Sequence, residues 1–360
     1  MKIAYFISSH GFGHASRATA IMEALAAQDP RIHFEIFSGT PEWLFRDAGL
    51  SNFRYHAGAV DVGLVQRGPM EHDLTASVKN IYDYLESIPT RSEALSAELK
   101  KLGIDAVIAD ISPLGIITGK KAGLPVFLFE NFTWDWIYEI YVDLCPEFAQ
   151  INSQLKEIFS QADFRMQSEP LCDPIPEADI QIPPASRKPH HTAADFRKSL
   201  GIPDSHRIGL ISMGGIPENL DFAVGSHIPE NLTLLLPGTF SKTEKIGNKI
   251  LLPHHSGYYH PDMIHAADFL IGKAGYSTIA EVCASGAAYG FISREYFRES
   301  EITADFLRRR PNTLEIDLTR FEAFTLAEEI EQLLTLGKTA PQFPNGSDIA
   351  AEFILRKTVR

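Results

Sequence analysis

Short apolar runs alternate with longer stretches of helical periodicity along the first part of the chain. The predicted order is a strand over 3–8, a helix over 15–27, a strand over 32–37, a helix over 41–48, a long helix over 74–102, and strands over 106–109 and 126–129. Ser112 and Pro113 are placed to cap and start a helix between the last two strands. Strands that alternate with helices in this way predict a mostly parallel sheet.

A proline-rich segment over 171–189 interrupts this alternation and cannot be helical. Beyond it, Thr192 and Asp195 are spaced to open a helix. Strand-like runs then recur at 208–212, 232–236, 249–252, 269–271 and 288–292, with helical patterns between them. The sequence therefore predicts an α/β protein with two Rossmann-like parallel-sheet domains.

The domain boundaries follow from the same patterns. We predict a first domain over 1–170, a linker over 171–190 and a second domain over 191–340. The helical pattern within 341–360 comes after the last strand signal, so this segment could cross back onto the first domain. A chain of 360 residues, 44% of them hydrophobic, is long enough to bury two cores rather than one.

Charge excludes some partners. The formal net charge is −13, which repels phosphate backbones and anionic lipid unless a local basic patch reverses the field. The only tight basic cluster, Arg308-Arg309-Arg310, follows the apolar residues of a predicted helix and is expected to be a solvated helix end. Nucleic acid is therefore not an expected partner.

Cysteine usage and the N-terminal residues indicate the compartment. Cys145, Cys172 and Cys283 are far apart and odd in number, which fits neither a disulfide framework nor clustered metal ligands. Met1 leads almost directly into the first strand without a signal-like leader, and no apolar run reaches membrane-spanning length. We expect a cytoplasmic protein that is not integral to a membrane.

A motif rich in glycine and histidine follows the first strand. Gly11 and Gly13 allow a tight turn and a close approach of the backbone to a ligand, with a purely structural turn as the alternative. A dinucleotide-binding fingerprint would need an acidic residue at the end of the second strand, where Phe37-Ser38-Gly39 stands instead. The motif therefore indicates a ligand near the first strand end but not a dinucleotide.

His14 is the candidate general base of this motif. At the top of the sheet it could point toward a ligand, or it could be a satisfied histidine near the helix start. Asp110, which closes the strand over 106–109, could orient the imidazole. It could instead merely precede the Ser112 cap, so both interpretations stay open.

Two glycine-containing motifs in the second domain are candidates for binding a diphosphate. Gly214 and Gly215 follow the strand over 208–212 and could expose amides to phosphate oxygens, or form an ordinary turn. A second motif follows the strand over 269–271 and opens a helix. Its nucleotide-binding candidates are Lys273, Gly275, Tyr276, Ser277, Thr278 and Glu281.

Glu281 lies one turn into that helix and could accept hydrogen bonds from vicinal ribose hydroxyls. Thr278 and Glu281 have equally the spacing of a helix capping box, so a structural role is the alternative. The sequence does not decide between them.

Two further clusters carry weaker signals. The histidines at 254, 255, 260 and 265 lack a cysteine or carboxylate pair at metal-ligand spacing, so we predict no metal site and favour a loop that lines the nucleotide base. The aromatic run over 129–136 includes Asn131 and Trp134 and suits sugar stacking, with aromatic core packing as the alternative.

Three separated segments together resemble the glycosyltransferase-like N-terminal region of plant-type arabinokinases and, more distantly, the MurG-like glycosyltransferase superfamily. They are His10-Gly11-Phe12-Gly13-His14, the run from Asn131 to Tyr138, and the stretch from Gly272 through Glu299. The resemblance implies a GT-B fold, in which two domains face each other across a cleft. The phosphate loop of the arabinokinase kinase domain has no counterpart here, so kinase activity is not implied.

The resemblance also implies a layout with the acceptor on the first domain, near Gly11, Gly13, Asn131 and Trp134, and the donor nucleotide on the second. Glu281 matches the donor-side glutamate of these enzymes, and His14 with Asp110 matches their His-Asp dyad. The acid or amide pair that holds the donor sugar in that superfamily is absent, and Glu299 or Glu301 would have to substitute.

We therefore predict a metal-independent glycosyltransferase with no cofactor. It would move a hexose or pentose from a UDP- or dTDP-sugar donor to the hydroxyl of an unidentified small-molecule or glycan acceptor. A nucleotide-sugar 2-epimerase and a non-catalytic nucleotide-sugar-binding protein are the alternatives.

Overall fold

A computed structural model of the chain describes residues 1–68, 71–214, 219–253, 255–293, 297–341 and 343–358. The chain divides into two compact units. The first unit comprises Met1–Ala185 and Asn345–Arg360, and the second comprises Ser186–Pro344. The division after Ala185 falls inside the predicted linker.

The first unit is built on a parallel sheet of seven described strands in the order β3-β2-β1-β6-β7-β8-β9. The strands are β1 (Lys2–Ile7), β2 (His33–Ser38), β3 (Phe53–Ala57), β4 (Val65–Gly68), β5 (Glu71–Asp73), β6 (Ala106–Asp110), β7 (Val126–Glu130), β8 (Phe164–Ser168) and β9 (Ile180–Ile182), of which β4 and β5 form a separate antiparallel pair. The helices are α1 (Phe12–Gln28), α2 (Trp43–Asp47), α3 (Leu74–Leu102), α4 (Pro113–Ala122), α5 (Trp134–Tyr138) and α6 (Glu147–Phe159), with a 3-10 turn at Glu139–Tyr141.

The second unit is built on a parallel sheet of six described strands in the order β12-β11-β10-β13-β14-β15. The strands are β10 (Arg207–Ile211), β11 (Leu232–Ile246), β12 (Lys249–Pro253), β13 (Phe269–Lys273), β14 (Ala288–Ile292) and β15 (Thr313–Glu315). The helices are α7 (Ala193–Ser199), α8 (Asp221–Val224), α9 (His260–Ala266), α10 (Tyr276–Ser285), α11 (Arg298–Arg308), α12 (Leu318–Glu322) and α13 (Ala327–Leu336).

The last helix, α14 (Gly346–Thr358), belongs to the first unit. Ala350, Ala351 and Ile354 are buried in the same core as residues of β1 and α1, and the Phe353 ring lies edge-on to Phe127 at 6.4 Å. Burial of this apolar face holds the C-terminal segment on the first sheet.

Two parallel-sheet α/β units confirm the predicted fold class. Local capping signals are confirmed as well, because the Ser112 and Thr192 side chains accept the amides of Gly115 and Asp195. Six strands escaped prediction, namely β3, β4, β5, β8, β9 and β15. Three of these, β3, β9 and β15, are edge strands and contain exposed and partly buried residues, so they lack the continuous apolar run of a central strand.

One surface expectation is wrong. Arg308 is exposed and bonds acidic side chains, as expected of a solvated helix end. Arg310 is instead only 6% exposed and lies over the rings of Phe306 and Phe343. The chain turns back toward β15 after α11, which brings the last arginine of the run against the apolar core.

Within the described ranges, none of the helices combines the length and the apolar composition that crossing a bilayer requires.

Candidate functional site

The first candidate site lies where three neighbouring strands of the first unit end. β1, β6 and β7 are adjacent and parallel. His14 and Asn131 come after β1 and β7, and Asp110 is the last residue of β6. Parallel strands end at the same edge, and in open α/β sheets this edge is where ligands bind. His14 and Asp110, which are 96 positions apart along the chain, therefore become neighbours.

Gly11 makes the turn from β1 into α1. Its φ of 80° lies in the left-handed region, which a residue with a side chain enters only with strain. A Cβ added at Gly13 would meet nothing within 4 Å, so this glycine leaves open space beside the helix start. The turn places His14 in the first turn of α1, facing the end of β6.

His14 and Asp110 are brought together as the dyad hypothesis requires. His14 Nδ1 lies 2.7 Å from Asp110 Oδ1, and the two residues are 6% and 0% exposed. The ring of Phe132 packs edge-on against the imidazole at 5.7 Å and restricts its orientation.

Arg17 is a third member of this cluster, one turn along α1 from His14. Its Nε donates to Asp110 Oδ2 at 2.7 Å and its Nη2 to Asp110 Oδ1 at 2.6 Å, while Nη1 donates to Asn131 Oδ1. Arg17 is 1% exposed, so this bidentate pair is buried. Arg17 is not among the residues predicted for the site, although its spacing of three from His14 places both on one helix face.

The charges of the cluster fix the roles of the imidazole nitrogens. Burial would raise the pKa of Asp110, but the Arg17 guanidinium and His14 outweigh it and hold that pKa below its ordinary value. An ionised carboxylate only accepts hydrogen bonds, so His14 Nδ1 carries the proton in this pair. Arg17 Nη2 is 3.0 Å from Nδ1 and cannot also donate to it.

The second imidazole nitrogen, Nε2, then carries a lone pair, and no residue of the described ranges hydrogen bonds to it. A histidine held in this tautomer by a buried carboxylate can accept a proton from a bound hydroxyl. The carboxylate would stabilise the imidazolium that results.

Asn131 and Trp134 are predicted to contact the acceptor, but both side chains are buried and bond to other residues of the protein. Their side chains are 0% and 1% exposed, and they bond Arg17 and Asp61. Trp134 Nε1 donates to Asp61 Oδ2 at 2.9 Å, and burial raises the pKa of Asp61 despite its hydrogen bonds with Ser8 and Trp134. In this arrangement both residues position other side chains, and nothing in the sequence around Asp61 had indicated its burial here.

The second candidate site lies where β10, β13 and β14 end, again three adjacent parallel strands. Gly214 has a φ of 85°, and a Cβ at that position would come within 2.9 Å of Lys273 Cε. The backbone after β10 thus lies directly beside the side chain that ends β13. Gly215, the other glycine of the pair, lies outside the described residues.

The helix after β13 begins without a side-chain cap. Gly275 is the N-cap of α10, which starts at Tyr276, so Thr278 lies inside the first turn. The capping-box interpretation of Thr278 and Glu281 is therefore wrong, because a capping box needs its threonine at the N-cap. Tyr276 and Thr278 are buried, and Ser277 is partly exposed at the helix start.

Glu281 is buried at 4% exposure and bonds two side chains. Its Oε1 accepts from Arg187 Nε at 2.9 Å and Nη2 at 2.6 Å, and its Oε2 accepts from His260 Nδ1 at 2.8 Å. Burial would raise the pKa of Glu281, but Arg187 and His260 outweigh it and lower it. Since a carboxylate has about four acceptor positions, room remains for about one further hydrogen bond.

The donor-sugar candidates lie after β14. Glu299 is partly buried in the first turn of α11, whereas Glu301 is exposed and bonds Arg308. His254 lies outside the described residues, and among the residues that are described no group of three or more His, Cys, Asp and Glu side chains is arranged to hold a metal ion.

Sequence comparison relates the chain to one curated protein. It is 28% identical over 366 aligned residues to L-arabinokinase from Arabidopsis thaliana, and the match covers 99% of this chain and 34% of the relative. The chain thus spans about a third of the length of that relative. No protein-family model matches the chain.

Solved structures of similar fold are glycosyltransferases. Acinetobacter baumannii MurG is 16% identical with a TM-score of 0.55, and the match covers 99% of both chains. Phytolacca americana UGT2, complexed with UDP-2-fluoro-glucose and pterostilbene, is 11% identical with a TM-score of 0.60 and full coverage of both chains. A UDP-glucosyltransferase from Polygonum tinctorium is 12% identical with a TM-score of 0.58, covering 100% of this chain and 98% of that one. The chain therefore has the GT-B glycosyltransferase fold and a weak sequence homology to the arabinokinase N-terminal region.

Proposed function

We propose that this protein is a glycosyltransferase that moves a sugar from a nucleoside-diphosphate donor to an acceptor hydroxyl. The observation that carries the proposal is the buried His14–Asp110–Arg17 cluster, which holds one imidazole nitrogen protonated and leaves the other able to take a proton. A histidine beside a buried carboxylate that a bidentate arginine keeps ionised is a combination typical of functional sites.

In the proposed reaction His14 Nε2 takes the proton of the acceptor hydroxyl as its oxygen attacks the anomeric carbon of the donor sugar. The bond from that carbon to the diphosphate breaks, and the nucleoside diphosphate leaves with the electron pair. Asp110 stabilises the imidazolium, and Arg17 keeps Asp110 ionised and in place.

The second unit would hold the donor. Gly214 and Lys273 lie together at the strand ends, and the first turn of α10 adds backbone amides that favour a diphosphate. These groups would stabilise the charge of the leaving diphosphate without a metal ion. Among proteins of similar fold, Phytolacca americana UGT2 was solved with UDP-2-fluoro-glucose and Arabidopsis thaliana UGT89C1 with UDP. These complexes support a UDP-sugar donor; a dTDP-sugar is the other candidate, and the acceptor would be a small molecule or a glycan.

The contacts of Glu281 limit how many hydrogen bonds it could accept from the donor ribose. The sequence predicts that Glu281 accepts hydrogen bonds from both ribose hydroxyls, but Arg187 and His260 already use about three of its four acceptor positions. A ribose would bond Glu281 once in this arrangement, or twice after Arg187 moves.

The test is a screen of UDP- and dTDP-sugars with and without pools of acceptors, in which release of nucleoside diphosphate is measured. Acceptor-dependent release supports sugar transfer, conversion of the donor without an acceptor indicates an epimerase, and binding without turnover indicates a binding protein. His14→Ala should lower kcat by about 10²–10⁴-fold and leave donor affinity within a few-fold.

The matched control is His33→Ala, because His33 begins β2 at the opposite edge of the same sheet and should leave the rate unchanged. A His14→Ala variant that transfers sugar at the wild-type rate would remove His14 from the reaction.

A further inference from the structure

A series of hydrogen bonds in the second unit joins the side chains of Glu281, His260 and Ser212. Glu281 Oε2 in α10 accepts from His260 Nδ1 at the start of α9 at 2.8 Å, and His260 Nε2 lies 3.0 Å from the Oγ of Ser212, the residue after β10. Ser212 and Glu281 are 3% and 4% exposed, and the His260 side chain is 24% exposed. The series therefore runs from a buried carboxylate to a hydroxyl at the edge where β10 ends.

The protons of this series can be assigned from donor and acceptor chemistry. Arg187 and His260 keep Glu281 ionised, so Glu281 accepts and His260 Nδ1 carries a proton. In a neutral imidazole Nε2 is then an acceptor, and it takes the hydroxyl proton of Ser212. In this state the Ser212 oxygen offers other groups only its lone pairs.

While this hydroxyl donates to Nε2 it has no proton left for a phosphate, whose oxygens also only accept hydrogen bonds. One proton added to Nε2 reverses the last bond of the series. His260 then donates to Ser212 Oγ, and the hydroxyl proton of Ser212 becomes available to an anion. The direction of the Ser212 hydroxyl is thus set by the protonation of His260.

The charges around His260 favour its protonation when an anion binds nearby. Arg187 and Glu281 cancel each other, so the array around a neutral imidazole carries no net charge. Protonation gives it one positive charge at a strand end where Gly214 and Lys273 also meet. The Ser212 carbonyl lies against the backbone of Gly272, where an added Cβ would come within 2.0 Å, so Ser212 is fixed beside the β13 end.

We propose that binding of a nucleoside diphosphate to the second unit is coupled to uptake of a proton by His260, which turns the Ser212 hydroxyl into a hydrogen-bond donor to the phosphate. This inference rests on the proposed function, because it takes the diphosphate to bind at this strand edge.

Three other charged groups, on α9, β10 and α7, bond elsewhere. On α9 itself Asp262 accepts from the backbone amides of His190 and His191 and from the His191 ring, on β10 Arg207 bonds Asp268 at the far end of the strand, and on α7 Arg197 bonds the carbonyls of Pro203 and His206. Glu281 and, behind it, Arg187 are therefore the charges that act on His260 through described hydrogen bonds.

The experiment is isothermal titration calorimetry of the full chain with UDP-glucose in two buffers of different ionisation enthalpy, Pipes and Tris, at one pH. UDP-glucose is chosen because its diphosphate has no terminal group that titrates near neutral pH. The difference between the two observed enthalpies gives the number of protons taken up. We expect uptake of up to about one proton per nucleotide, with affinity falling by up to about tenfold per pH unit as pH rises.

His260→Gln and Ser212→Ala should each abolish the buffer dependence and weaken binding. His206→Gln is the matched control, because His206 lies before β10 at the opposite strand end and bonds Thr233. This variant should keep the wild-type uptake.

The outcomes separate the two proposals. Binding of UDP-glucose with equal enthalpies in both buffers overturns the proton coupling and leaves the proposed function standing. Proton uptake that persists in His260→Gln also overturns it, because another group must then titrate. If neither UDP-glucose nor dTDP-glucose binds, the proposed function fails and this inference fails with it.

Discussion

Replacing Arg17 with methionine should show how much of the first unit depends on one buried charge. The substitution removes three hydrogen bonds and leaves Asp110, at 0% exposure, with His14 as its partner. Removing one member of a buried ion pair costs about 3–5 kcal/mol, since the remaining charge is no longer compensated. We expect Arg17→Met to lower the free energy of unfolding by this amount.

The double variant Arg17→Met with Asp110→Leu provides the control. Replacing both partners with apolar side chains removes the uncompensated charge, so the double variant should be more stable than the sum of the two single losses predicts. We expect a coupling of about 1–3 kcal/mol between the two positions.

Urea unfolding followed by tryptophan fluorescence measures these values in the first unit alone. The three tryptophans of the chain are Trp43, Trp134 and Trp136, and all lie in that unit. A loss below about 1 kcal/mol for Arg17→Met, or strict additivity in the double variant, would refute the account of the buried pair.

The free energy of unfolding should depend on pH in a direction that follows from the pKa of Asp110. The pKa of Asp110 lies below its ordinary value in the folded protein. Such a carboxylate stabilises the fold above the unfolded pKa, and the contribution is lost as pH falls through the folded pKa. Without Arg17, the effect of burial on Asp110 is no longer outweighed by the guanidinium, so the pKa of this carboxyl should rise. The free energy of unfolding of Arg17→Met should then increase as pH falls. The difference in free energy of unfolding between the wild-type protein and Arg17→Met should therefore become smaller toward acidic pH.

Three further outcomes are expected. Treatment with EDTA should leave donor binding and transfer intact, and loss of activity that Mn²⁺ or Mg²⁺ restores would contradict metal independence. Gly272→Ala places a Cβ 2.0 Å from the Ser212 carbonyl oxygen, so it should destabilise the second unit by about 2 kcal/mol or more and weaken donor binding. Gly225→Ala is the control, because its Cβ would meet nothing within 4 Å and should have neither effect. Equal melting temperatures for the two variants would refute this prediction. The hydrogen bond to Asp262 raises the pKa of His191, so this imidazole stabilises the fold at low pH, and the contribution is lost as pH rises through the raised pKa. NMR titration measures the pKa of His191, which should fall in Asp262→Asn. An unchanged pKa in that variant would count against the contact.

Sequence patterns alone determined the architecture of this protein. Central strands such as β6 and β14 are continuous apolar runs because helices cover both faces of a parallel sheet, and the signal is therefore local. Caps such as Ser112 and Thr192 are local in the same sense, since a side chain and an amide three residues later decide the helix start. His14 and Asp110 could be proposed as a pair because both follow neighbouring strand ends.

The tertiary structure alone decided what these groups contact. Arg17 and Asp61 became part of the first site, and Arg187, His260 and Ser212 part of the second, through contacts between residues far apart in the chain. A charged side chain carries no local sign of burial, because its environment is set by the elements that pack around it. The roles of Glu281 and Trp134 changed for the same reason: the sequence showed a carboxylate and an aromatic ring near strand ends, and only their neighbours in space revealed that both are already bonded within the protein.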